Sequence, residues 1–147
     1  MVIGGSSQAG NRGSWELANE TVVVLIVEDD RLIQAMVEEA LSEGGFESAI
    51  AQSGEEAVTI LQSDPTRFRA IITDINLAGT LDGWEVAKRA RELLPELPVV
   101  YMTGAAAEQW TSRGVPNSIL LNKPFAPAQV TTAVAQLLNT SPPMAPR

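Results

Sequence analysis

Cysteine and histidine are both absent from this 147-residue chain. The lack of cysteine excludes a disulfide, a thiol nucleophile and a thiolate metal site. The lack of histidine removes serine–histidine triads, ordinary imidazole zinc sites and any role as a phosphohistidine donor. No apolar run reaches the eighteen residues of a membrane span. No basic segment followed by an apolar one opens the chain, so no signal peptide is expected and the cytoplasm is the default location. Positive charge is also scarce: ten Lys and Arg stand against eighteen Asp and Glu, for a net charge of −8. Such a surface repels phosphate backbones, and no basic cluster offsets it, so no nucleic-acid partner is expected. The hydrophobic fraction, 45%, suffices for one core, and the length suits one domain with tails.

Residues 1–19 are rich in Gly, Ser, Asn and Gln and have no period, which predicts a disordered tail. The ordered domain is expected over 20–139, with a Pro-rich tail over 140–147. Val22–Val27 is apolar without alternation and rich in β-branched residues, as in a central parallel strand covered on both faces. It stops at Glu28-Asp29-Asp30. Leu32, Ile33, Met36, Val37, Ala40 and Leu41 then fall on one helical stripe, which Gly44-Gly45 ends. Phe46–Ala51 reads as a second strand. Ser53-Gly54-Glu55-Glu56 has the spacing of a capping box and opens a helix carrying Ala57, Val58, Ile60 and Leu61. Ala70–Thr73 is a third strand, leading to Asp74. A third helix starts at Asp82-Gly83 and carries Trp84, Val86, Ala87, Ala90, Leu93 and Leu94. Leu97–Met102 is a fourth strand, ending at Thr103-Gly104, and Ala105–Arg113 a short, weak helix. Ser118–Leu121 is a fifth strand, before Asn122-Lys123-Pro124-Phe125. The last helix begins near Pro127 and presents Val130, Ala133, Val134, Leu137 and Leu138.

Strand and helix alternate five times. That pattern predicts an α/β fold: a single doubly wound, five-stranded parallel sheet in the flavodoxin-like order 2-1-3-4-5, with helices on both faces. In that order the first and third strands are neighbours, about 4.8 Å apart. Their ends then crowd Glu28, Asp29 and Asp74 into one place. Taken alone, Asp74 could merely start a turn, and Glu28-Asp29-Asp30 could be a solvated acidic helix start. Together they are three like charges that disfavour joint ionisation, a conflict that a hard divalent cation such as Mg²⁺ resolves. Lys123 is one of only two lysines. It follows Ile119-Leu120-Leu121, and an ammonium at the rim of an acidic site can pair with a carboxylate or a phosphoryl oxygen. Thr103 adds a hydroxyl from the adjacent strand. Acids, hydroxyl and lysine together suggest an aspartyl-phosphate site.

The motifs V-L-I-V-E-D-D, I-I-T-D-I-N, Y-M-T-G-A and L-N-K-P-F, in this order and spacing, resemble those of a response-regulator receiver domain, the phosphoacceptor of two-component signalling. The resemblance covers roughly Thr21 to Asn139. It implies Asp74 as phosphoacceptor, Glu28 and Asp29 as the acidic pair holding Mg²⁺, and a metal contact from the backbone carbonyl of Asn76. It implies Thr103 as switch hydroxyl, Lys123 as the phosphate-pairing lysine and a cis Lys123–Pro124 bond. D-G-W-E-V-A, P-V-V-Y-M-T-G and V-P-N-S are similar to segments of stand-alone alphaproteobacterial receivers. Two features depart from the family. The loop after Asp74 lacks its common proline and is one residue longer, and Leu120 stands where the family often has Tyr or Phe. An aromatic that moves between buried and exposed positions is therefore not expected to carry a switch.

The resemblance implies a histidine kinase or histidine-phosphotransfer protein as phosphodonor. It implies no enzymatic activity beyond the domain's own phosphorylation and dephosphorylation. With only a short tail after the last helix, output is expected through protein contact. The expected face is the loop Gly104–Ala107, the helix around Trp110 and the final helix, which would also serve a homodimer through the fourth helix, fifth strand and fifth helix. Two other readings are a Mg²⁺-dependent phosphatase with an aspartyl nucleophile and a flavin-binding flavodoxin-like module. The phosphatase would want an aspartate where Asn76 stands, and a cap domain. The flavin module would want a phosphate-binding loop where three acids stand.

Overall fold

The computed structural model describes residues 21–140. The tail expected over 1–19, and the part of the C-terminal tail beyond Thr140, lie outside these residues. The elements follow in strict alternation: β1 (Val23–Val27), α1 (Arg31–Glu43), β2 (Glu47–Ala51), α2 (Gly54–Ser63), β3 (Phe68–Asp74), α3 (Gly83–Leu93), β4 (Val99–Thr103), α4 (Trp110–Arg113), β5 (Ser118–Asn122) and α5 (Pro127–Thr140). The strands form one parallel sheet in the order β2-β1-β3-β4-β5, as the sequence predicts. The weak helix expected over Ala105–Arg113 is a 3₁₀ turn, Ala107–Gln109, running into the single turn of α4. α5 extends to Thr140, one residue past the expected domain boundary.

The unbroken apolar run of β1 follows from burial on both faces. Successive side chains of a strand point to opposite sides. Leu25 and Val27 join Ile71, Val99 and Tyr101 under α2 and α3. Val24 and Ile26 join Ala70, Ile72, Val100 and Met102 under α1 and α5. Trp84 and Tyr101 meet in the first of these cores with ring centroids 4.8 Å apart. The chain passes from β1 out to β2 and then back across β1 to β3, so the direction of strand addition reverses between β1 and β3. A crevice opens there at the carboxyl ends of the strands.

The caps read from the sequence form, with one adjustment. Ser53 Oγ accepts from Glu56 N–H at 3.0 Å, but the Glu56 carboxylate reaches past the cap residue to Gln52 N–H, at 2.7 Å. Asp82 caps α3 by accepting from Glu85 N–H at 2.9 Å.

The stripe expected on α1 is partly wrong. Leu32 is 83% exposed, while Gln34 is buried. Leu32 stands about 180° around the helix from Leu41, on the solvent side, whereas Ile33 in the same turn packs against the core. The buried face runs 34-37-41 with Ala40 beside it. Gln34 satisfies its amide by donating from Nε2 to the Glu28 carbonyl at 2.6 Å. Leu93, expected in the face of α3, is 40% exposed in its last turn. We expect Leu41→Ala, in the core, to cost about 2–5 kcal/mol in urea unfolding. Leu32→Ala should stay within about 0.5 kcal/mol. Equal losses would contradict this assignment of faces.

Candidate functional site

The site is built at the β1/β3 crevice. Val27 pairs with Thr73 in register, so the residues that follow, Glu28 and Asp74, leave the sheet side by side. Among the described residues one group of three acidic side chains could share a metal ion. It is Glu28, Asp29 and Asp74, with one oxygen from each lying within 4.8 Å of the others. Glu28 and Asp74 are buried, and Asp29 is exposed. Asp30, the third acid of the run, does not join them. It caps α1, its Oδ1 accepting from Leu32 N–H at 2.9 Å and Ile33 N–H at 3.3 Å. The reading of the whole run as a solvated acidic helix start holds for Asp30 and fails for the buried Glu28.

Lys123, at the end of β5, completes the cluster. Its Nζ lies 3.3 Å from Asp74 Oδ2 and 3.5 Å from Glu28 Oε1. The following bond to Pro124 is cis. Lys123 N–H donates to the Thr103 carbonyl at 2.7 Å, which fixes β5 against β4 where both leave the sheet. The Thr103 side chain is buried, and its Oγ1 accepts from Ala105 N–H at 3.1 Å and Ala106 N–H at 2.8 Å. It holds the loop after β4 closed. The Asn76 side chain stands outside the carboxylate group, on the exposed loop after Asp74. The resemblance implied only its backbone carbonyl.

Burial dominates the electrostatics. Glu28 is pushed up from 4.5 to about 7, first by loss of solvent and then, against the pull of Asp30 N–H, by the charge of Asp74; Lys123 works the other way. Asp74 is raised for the same first reason, and Lys123 again opposes the shift. Two buried carboxylates beside one ammonium leave excess negative charge that the fold alone does not neutralise. Hard oxygen donors, closely spaced and short of positive charge, fit a magnesium ion. Glu28, Asp29 and Asp74 are the residues that would hold it.

The loop after Asp74 is secured at both ends and in the middle. Gly83 N–H donates to the Ile75 carbonyl at 2.8 Å. Gly83 lies so close to the Asp74 carbonyl that no Cβ would fit. Ala78 N–H donates to Asp29 Oδ2 at 3.1 Å. Thr80 donates from both its N–H, at 2.8 Å, and its hydroxyl to Glu55 Oε2. Sequence reasoning placed Glu55 in a cap and missed this contact, and it missed the Gln34–Glu28 contact as well. The one available signal for Gln34 was its place three residues before Val37 and seven before Leu41, on their face.

A doubly wound parallel domain with carboxylates and a lysine at its switch point is the class that this architecture defines. The chain belongs to the response regulator receiver domain family, whose model matches residues 24–135. In structure it is similar to a response regulator receiver protein from Sinorhizobium medicae, at 42% identity and a TM-score of 0.79, covering 82% of this chain and 97% of that one. In sequence it is similar to the response regulator receiver protein CpdR of Brucella abortus, 30% identical over 78% of this chain and 95% of that one. It is also 30% identical to the response regulator MprA of Mycolicibacterium vanbaalenii, over 83% of this chain. The chain spans about half the length of that protein, 52%. Receiver domains work with histidine kinases in two-component signalling and bind Mg²⁺ at an acidic pocket. No helix among the described residues is long and apolar enough to cross a membrane.

Proposed function

We propose that this chain is phosphorylated on Asp74 by a histidine kinase or histidine-phosphotransfer protein, and that it passes the signal on by protein contact in the cytoplasm. The observation that carries this reading is Lys123, held between Asp74 and Glu28 at the mouth of the crevice. An oxygen of the Asp74 carboxylate attacks phosphorus in line. The new O–P bond forms as the P–N bond to the donor imidazole breaks, and the imidazole leaves with the bonding pair. The Lys123 ammonium meets the charge on the phosphoryl oxygens. Magnesium, when bound, neutralises further charge on those oxygens. Glu28 and Asp29 complete the acidic set, and Gln34 holds the Glu28 main chain in place. The domain acts on itself and turns over no other substrate. The test is uptake of one phosphoryl group from acetyl phosphate in the presence of Mg²⁺, mapped to a residue.

Output follows from Thr103. If its hydroxyl turns to a phosphoryl oxygen, Ala105 and Ala106 N–H lose their acceptor. Those two N–H groups sit just before the Ala107–Gln109 turn, which leads into Trp110. Trp110 Nε1 donates to Ser118 Oγ at 2.9 Å, so the disturbance reaches the start of β5. Leu120 brings no hydroxyl to that face, so the moving parts are the loop and α4, biasing two pre-existing states. The face formed by α4, β5 and α5 is the proposed partner or homodimer surface. Amide exchange with and without a phosphoryl mimic should show altered protection over Gly104–Leu121. Change confined to the neighbourhood of Asp74 would dismiss this route.

A further inference from the structure

The loop after Asp74 is held by a residue from outside the crevice. Glu55 lies in the first turn of α2 and takes both donors of Thr80. These bonds hold its carboxyl down at about 2, well below the usual range. Gly79, just before Thr80, has φ +97°, and a Cβ there would stand 2.7 Å from Glu55 Oε1. The loop therefore turns in a left-handed conformation at the point where the carboxylate presses on it. Two residues earlier, Ala78 N–H donates to Asp29 Oδ2. A continuous path thus runs from Glu55 through Thr80 and Gly79 to Ala78 and the Asp29 carboxylate.

We propose that Glu55 is a positioning residue for the magnesium site: by latching Thr80 it fixes the loop whose Ala78 N–H orients the Asp29 carboxylate. The inference rests on the metal reading of Glu28, Asp29 and Asp74 given above. A ligand's own hydrogen-bond partners orient it, and their loss typically costs roughly 10–100-fold in metal affinity. Glu55 acts one step further out, through a loop segment, so a smaller effect follows. Removing the latch leaves Asp29 present but free to rotate, and binding must then order both the side chain and the loop.

The experiment is calorimetric titration of the unphosphorylated full chain with MgCl₂ at pH 8, with thermal unfolding as a control for the fold. Glu55→Ala should raise the Kd roughly three- to tenfold, scaled down from direct partners of a ligand. Thr80→Val, which removes one donor without changing charge, should raise it in the same direction. Glu55→Gln keeps an acceptor for Thr80 N–H and should recover most of the affinity. In the double variant Glu55→Ala/Thr80→Val the two effects should not add, because both break one contact. Long-range attraction by the Glu55 charge gives a different pattern: Glu55→Gln as weak as Glu55→Ala and Thr80→Val unchanged. That pattern overturns the latch. Normal Mg²⁺ binding in all the variants overturns it too and leaves the proposed function standing. Wild-type chain that binds no Mg²⁺ overturns both readings.

Discussion

Asp74→Asn should take up no phosphoryl group from acetyl phosphate, while the wild-type chain gains one, seen as a mass increase lost on mild base treatment. The substitution keeps the size of the side chain and removes its nucleophilic oxygen. Asp29, the exposed acid of the cluster, accepts from Ala78 N–H and has no contact with Lys123 among those described. Only Asp74 combines a buried position, a lysine 3.3 Å away and a place at the carboxyl end of a central strand. The expected effect is complete loss, beyond the partial loss of weakening one stabilising contact. ATP should not serve as donor in either form without a kinase, since the chain holds no histidine to relay the group. Full labelling of Asp74→Asn would falsify the assignment of the phosphoacceptor.

The second large effect is on pH. Glu28 is raised in the folded protein to about 7 from 4.5. The folded state therefore binds its proton more tightly than the unfolded chain does. The stability that this gives to the metal-free domain is complete below pH 4.5 and is lost as pH rises through about 7. At about 1.4 kcal/mol per unit, a rise from 4.5 to about 7 corresponds to roughly 3 kcal/mol at most. Asp74 is shifted in the same direction and adds to the trend. Urea unfolding in EDTA should thus show the domain weakening from pH 5 to pH 8. Glu28→Gln should flatten that decline.

Magnesium binding should show the opposite pH trend. The ligand must lose its proton, so the apparent Kd should rise about tenfold for each pH unit below about 7. A Kd independent of pH between 5 and 8 would show that Glu28 is ionised without the metal, and the burial argument would fail.

Much of this was legible in the residues in order. The number of strands, their parallel arrangement and the acids at their ends follow from local features: apolar runs without alternation, caps, and the residues at which the runs stop. Asp74, Lys123, Glu28 and Asp29 were found because each terminates a strand, and parallel strands all end on one side of the sheet. Leu32 was misplaced because it lies about 180° around the helix from Leu41, and Leu93 because it falls in the last turn of α3.

By itself the sequence determined the class of fold, the strand order and the chemical character of the site, since these depend on period, on the handedness of crossovers and on residue type. Only the tertiary structure decided which acids are buried and which is a cap, and how strongly Glu28 holds its proton. It alone showed that Thr103 closes the next loop and that Glu55 grips Thr80. The physical reason is distance along the chain. Glu28 meets Lys123 across 95 residues, and Glu55 meets Thr80 across 25. Desolvation and hydrogen bonding at those points arise from atoms that become neighbours only when the sheet and its helices have packed.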